Sequence, residues 1–342
     1  MNIICKPSFA FDAIAAIEGR VNRGRNDAPY VKIGGFFKEF DKTANITASD
    51  SNYNFLLEKY SFDEVEKMDL DTIAEVYPDC SSKADKIFNQ KDTKGQFIKG
   101  FEILKNMEFA DFWQENCLPL INNQCMEYDS ILKGEVVDNI LADIEGLKPN
   151  TKLEDITIYT TYFTCSVSFQ LSPTTYLTSY IWDDTDEDEK INVKNVVRLF
   201  AHELIHGVSN EKSREIYIKA YQSDELLKKA HDVLFNKRGS TSNEEEFVVA
   251  LDRYICFKNG ILTKEEAYDG IFHYYGGCMP IAVIVFDELM KYEKLPEDIN
   301  SWICDLFACE IIKVGEIESR VNSILPGYVD NLMNNYFKNE KH

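Results

Sequence analysis

A mainly helical α+β protein with one small β-sheet is what the sequence predicts, and two patterns predict it. Through most of the chain apolar residues recur every three or four positions, as in Phe97, Phe101, Ile103, Leu104 and Met107, which is the period of a helix with one buried face. One stretch departs from that period. Residues 156–181 read ITIYTTYFTCSVSFQLSPTTYLTSYI, dense in Thr, Tyr, Val, Ile and Phe, the composition of strands. With 342 residues, 44% of them hydrophobic and 13% aromatic, the chain is long enough to bury a large core in two or more subdomains.

Taken in order, residues 9–21 form a first amphipathic helix, with Phe11, Ile14, Ala15 and Ile17 on its apolar face. An Arg-, Asn- and Gly-rich loop follows at 22–29, and residues 54–147 read as several helices. Residues 146–150, containing Pro149, mark a boundary between a helical N-terminal region (1–150) and a second region (151–342). The sheet at 154–182, turned at Ser172-Pro173, is the only convincing strand segment. The acidic run 183–189 reads as an exposed loop. It lacks the ligand spacing and glycine of an EF-hand, so calcium is not expected there.

A strong helix then spans 192–209. Asn192 is its N-cap, and Val193, Val196, Val197, Phe200, Ala201, Leu204, Ile205 and Val208 form a broad apolar stripe. Further helices are predicted at 214–221, 224–235, 243–257, 264–274 and 279–292, with helical patterns continuing to the C-terminus.

The formal net charge of −21 leaves nothing to neutralise phosphates, which excludes nucleic acid and anionic membranes as partners. No basic segment precedes an apolar run near Met1, and no window approaches 18 apolar residues, so neither a secretion signal nor a membrane span is expected. Nine cysteines, an odd number without a C-x-x-C pair, fit a reduced, cytoplasmic setting. Cys304 and Cys309, five positions and so about 140° apart on a helix, are expected as independent packed thiols.

Chemistry concentrates in His202-Glu203-Leu204-Ile205-His206. Positions i and i+4 lie about 40° apart around a helix and one turn apart along it, so both imidazoles can reach one ion. Glu203 is offset to the side, where a carboxylate can accept a proton from a water on that ion. Two neutral nitrogens, an open coordination position and a nearby base are what a hydrolytic zinc site needs. The chain has only five histidines, and two of them form this pair.

A third ligand must come from elsewhere. Ser209 and Lys212 stand where a metzincin has its glycine and third histidine, which excludes that class. His231 lies in a Lys- and Asp-rich helix that reads as structural. Glu225 follows His206 after 18 residues, in surroundings that read as an ordinary helix start. The run Glu244-Glu245-Glu246 before Phe247, Val248 and Val249 is more persuasive, because the apolar stretch must pack on the core and can carry a carboxylate to its edge. At least two of those three acids are expected to be a solvated helix cap.

Glu245-Glu246-Phe247-Val248 resembles the Glu-x-Phe-Ala pattern that supplies the third ligand in gluzincins, the HExxH-plus-Glu metallopeptidases, and is similar to the longer pattern of their lethal-factor-like branch. The resemblance implies Glu245 as ligand, with Glu246 as the alternative, and Val248 departs from the family's alanine. Tyr274-Tyr275-Gly276-Gly277 resembles the Tyr-x-x-Gly segment of aminopeptidase-type gluzincins, which implies an oxyanion-stabilising hydroxyl on Tyr274, with Tyr275 as alternative. The resemblance covers roughly residues 156–290; the aminopeptidase substrate signature is not found upstream of the motif. The expectation is a zincin-type catalytic region holding Zn2+ on His202, His206 and Glu245, with Glu203 as general base and a peptide or protein as substrate. A non-peptidase zinc amidohydrolase and a non-catalytic helical binding protein are the alternatives. The deformylase variant needs an upstream cysteine ligand, and Cys165 lies in no such context.

Overall fold

Strand β2 (Ile156–Thr161) is buried at Ile156 and from Ile158 to Thr161, as a strand covered on both faces must be. It pairs in parallel with β1 (Ile3–Pro7), Ile3 opposite Ile156 and Cys5 opposite Ile158. On its other side β2 pairs in parallel with β4 (Thr175–Ser179), and β4 pairs antiparallel with β3 (Ser168–Ser172), Phe169 opposite Leu177. The order β1-β2-β4-β3 makes a small mixed sheet. The rest of the described chain is mainly helical, so the predicted fold class holds. Strand β1 is a correction: the sequence places all strand structure at 154–182, and this fourth strand lies at the N-terminus. Five residues are too few to display a period, and β1's partner is about 150 residues away in the chain.

The structure is a computed structural model describing residues 2–17, 56–57, 59–80, 93–148, 152–163, 168–172, 174–180, 191–234 and 244–337. The loop at 22–29, the acidic run 183–189 and Cys165 lie outside the described residues. Two compact units are present, residues 1–131 with 154–191, and residues 132–153 with 192–342.

In the first unit, helix α1 (Phe9–Ile17) buries Ala10, Phe11, Ala13, Ile14, Ala15 and Ala16. Helices α2 (Leu70–Cys80) and α3 (Thr93–Asn106) pack on α1 and on each other, and α4 (Leu118–Ile131) packs on β1 and β2. Asp12 is fully buried among them. Its Oδ1 accepts the backbone N–H groups of Tyr162 and Phe163 at 2.6 and 2.9 Å, and its Oδ2 accepts Trp113 Nε1–H at 2.7 Å. Burial pushes this carboxyl up to about 7 against the pull of those three donors.

In the second unit, α5 (Glu135–Gly146), α6 (Val193–His206), α7 (Glu211–Ser223) and α8 (Glu225–Val233) precede α9 (Glu245–Lys258). Helix α9 is the centre of the bundle, buried without a break from Glu245 to Cys256. It packs on α6, on α10 (Lys264–His273) and on α11 (Pro280–Leu289). Helices α12 (Ile299–Ala308), α13 (Ile317–Ile324) and α14 (Tyr328–Tyr336) complete the unit. Cys304 is buried but Cys309, at the C-cap of α12, is exposed, so only one of the two expected packed thiols is packed. Among the described residues, no helix is long and apolar enough to cross a membrane.

Candidate metal centre

Helix α6 starts as its sequence dictates: the Asn192 side chain accepts the N–H of Asn195 at 2.9 Å, supplying one of the partners a helix start lacks. Val196, Val197, Phe200, Ala201, Leu204 and Ile205 anchor the apolar stripe in the core. That fixes the rotation of the helix and turns His202 and His206 toward the N-terminal end of α9. His202 is buried, and Glu203 beside it is buried as well; His206 is partly open to solvent.

The two imidazoles meet edge to face with Nε2 atoms 3.2 Å apart. His202 Nε2 lies 3.4 Å from Glu245 Oε1, and His206 Nε2 lies 3.4 Å from Glu245 Oε2. Ligand atoms from these three residues all fall within 4.8 Å of one another. A tetrahedral ion with bonds of about 2.0–2.1 Å holds neighbouring ligand atoms about 3.3–3.4 Å apart, close to the distance between the two Nε2 atoms and from each to its nearer Glu245 oxygen.

Each imidazole is held from behind by a carboxylate. Asp252 Oδ2 lies 2.7 Å from His202 Nδ1, and Glu244 Oε1 lies 3.3 Å from His206 Nδ1. A carboxylate at Nδ1 places the ring proton on that nitrogen, so in the neutral rings both Nε2 atoms carry lone pairs. Two lone pairs then face each other and a carboxylate. Such a donor set is complete only with a cation at its focus, either a proton or a metal. Burial works against protonating His202, but Glu245 and then Asp252 outweigh it and raise its pKa to about 10. Burial likewise opposes the charge on Glu245, and His202, His206 and Tyr274 overcome it, bringing that carboxyl down to about 2.

Of the three acids in the run, none is the solvated cap expected from the sequence. Glu244 is held by His206, by the Ser209 hydroxyl at 2.7 Å and by Arg214. Glu245 faces both histidines. Glu246, one residue and about 100° further round the helix, turns away. It accepts Tyr217 O–H at 3.0 Å, Ala282 N–H at 3.0 Å and Ile281 N–H, capping the start of α11. Burial pushes its carboxyl up to about 8. The alternatives separate accordingly: Glu245 joins the histidines, Glu246 is a helix cap, and Glu225 opens α8 behind its N-cap Asp224. His231 stacks on Tyr221, 4.0 Å between ring centroids, and is not among the clustered groups.

Tyr274 donates its hydroxyl to Glu245 Oε1 at 2.6 Å, while Tyr275 is exposed. Burial and the Glu245 carboxylate push the Tyr274 hydroxyl well above the ordinary tyrosine value, so it remains a proton donor. The turn that presents it is left-handed at Tyr275, Gly276 and Gly277, with φ of 44°, 68° and 91°. Helix α14 holds that turn: Tyr336 donates to the Tyr275 carbonyl at 2.8 Å and Asn335 to that of Gly276 at 3.1 Å.

Sequence reasoning missed Asp252 and Glu244 as partners of the histidines. Asp252 was within reach, because it follows Glu245 by seven residues, two turns along the same face of α9. Glu244 carries no comparable signal, since only the placement of α6 tells it from a surface cap. No protein-family model, curated protein or solved structure matches the chain.

Proposed function

We propose that the protein is a zinc-dependent hydrolase of peptide bonds, with the ion held by His202, His206 and Glu245. The observation that supports this most is the convergence of two Nε2 lone pairs on one carboxylate at 3.2–3.4 Å, with Asp252 and Glu244 fixing both tautomers from behind. Two imidazoles and a carboxylate are a donor set that suits zinc. Bound there, zinc supplies a Lewis acid that polarises a carbonyl and acidifies a water.

The chain's own groups carry the rest. Glu203, between the two histidines on α6, is the base that takes a proton from the attacking water and returns it to the leaving nitrogen. Tyr274 is the donor assigned to the oxyanion, and to act so its hydroxyl exchanges Glu245 Oε1 for the substrate oxygen. Asp252 and Glu244 keep the histidines facing inward. The likeness of Glu245–Val248 and Tyr274–Gly277 to gluzincin motifs supports a peptide as substrate over another amide.

Hydrolysis of a quenched peptide library by the untagged, zinc-loaded protein tests the reading. Glu203→Gln is expected to keep its zinc and to lose turnover by about a hundred- to ten-thousand-fold. Near-parental hydrolysis by that variant would remove Glu203 from the mechanism. Cleavage of small amides without cleavage of peptides would move the activity to an amidohydrolase.

A further inference from the structure

Gly270 stands inside α10, where glycine is a poorer helix former than alanine. Its backbone does not call for glycine, because its φ is not among the positive ones. Space does. A Cβ on Gly270 would lie 2.6 Å from Arg253 Nε and 3.4 Å from Arg253 Cζ and Nη2. The guanidinium of α9 therefore occupies the volume that any other residue at 270 would fill. One turn further along, Tyr274 presents its ring to the same group, with Cζ 5.8 Å from the ring centroid.

Arg253 is not free to give way. Its side chain is 6% exposed, and its Nη1 donates to Asp252 Oδ1 at 2.6 Å. The other oxygen of Asp252 faces His202 Nδ1 at 2.7 Å. One guanidinium thus touches both supports of the cluster: the carboxylate that orients His202 and the ring whose hydroxyl donates to Glu245. Arginine suits this place because its planar fork can pair with a carboxylate in the plane and stack on a ring with its face; the point charge of lysine cannot do both.

We propose that Arg253, seated in the gap left by Gly270, is a positioning residue that fixes His202 through Asp252 and Tyr274 through its ring. The proposal rests on reading the cluster as a metal site. Gly270 then has a defined part, as the residue whose missing side chain admits Arg253.

Truncating Arg253 takes from the buried Asp252 carboxylate the cation that acts on it most and opens a hole beside Gly270, which is expected to destabilise the unit, so it is not the informative variant. The test compares the full-length parent, Gly270→Ala, Arg253→Lys and the double variant. One readout is zinc affinity, by competition with a chromogenic chelator. The second is the low-field proton NMR signal of His202 Nδ1–H in zinc-free protein, assigned by its loss in His202→Gln. Gly270→Ala is expected to weaken zinc about 10-fold and to displace the signal. With Arg253→Lys already present, the slender side chain leaves room for the methyl group. Adding Gly270→Ala then changes affinity by less than about 2-fold and leaves the signal in place, as expected once the shared contact is gone. Equal effects in both backgrounds, or no effect in either, would overturn the proposal while leaving zinc binding by the parent intact. If the parent binds no zinc but the signal still moves only when Arg253 is present, the positioning role stands and the metal reading fails.

Discussion

Each of the two units buries a carboxyl among polar partners, Asp12 in one and Glu245 in the other, and the neighbours of the two differ in kind. Asp12 faces donors: two backbone N–H groups and an indole N–H, all within 2.9 Å. Glu245 faces two imidazole nitrogens whose protons are drawn to the far side of each ring by Asp252 and Glu244. Buried polar groups are ordinarily matched donor to acceptor, and the first site obeys that accounting. The second has more acceptors than donors at its focus, and only a cation balances it. Donor–acceptor accounting thus separates a carboxyl that ties a core together from one in a cluster that could hold a metal ion, although both are almost wholly buried.

The largest effect that sharpens this contrast should come from paired amide substitutions. Asp252→Asn is expected to weaken zinc by about 10- to 100-fold, because the amide no longer fixes the His202 tautomer. Asp12→Asn should leave zinc affinity unchanged. Chelator competition on the two variants checks both, and equal losses would break the comparison.

A smaller effect separates the adjacent glutamates. Glu246→Ala leaves Tyr217 and the first N–H groups of α11 without their acceptor, which is expected to cost about 1–3 kcal/mol of stability. Urea midpoints measure that loss, and the zinc content of the variant should equal the parent's.

Asp12 also predicts a pH dependence. Its folded pKa of about 7 lies above the ordinary 3.8, so between those values the folded protein holds a proton that the unfolded chain has released. Stability through this group is therefore highest below about pH 4, declines as pH rises toward 7, and is flat beyond. The slope is at most about 1.4 kcal/mol per pH unit. Asp12→Asn should remove this contribution and leave the like-signed one of Glu246, so the slope across that range should be shallower in the variant than in the parent when unfolding of the two is compared.

Much of the candidate centre was legible because it obeys helical periods. Asn192, the apolar stripe of α6 and the i, i+4 histidines specify one another locally, and the structure keeps all three. The choice between Glu245 and Glu246 was not legible from residue spacing. Adjacent residues differ by about 100° around a helix, and which one faces the histidines depends on where α6 and α11 pack. Both carboxyls are buried, so composition alone cannot rank them. Strand β1 was hidden for another reason: a five-residue edge strand in parallel pairing is defined by its partner, and Ile156 is far away in the chain. Gly270 carries no signal in the sequence, because only the packing of Arg253 against α10 accounts for a glycine there.

The most direct test of the metal centre is elemental mass spectrometry on protein purified without a histidine tag, beside His202→Ala and Glu245→Ala. The account predicts about one zinc per chain in the parent and none in either variant, as three protein ligands to one ion require. A parent without metal even after zinc is supplied would contradict it, and would leave the cluster as a proton-held network inside a helical binding protein.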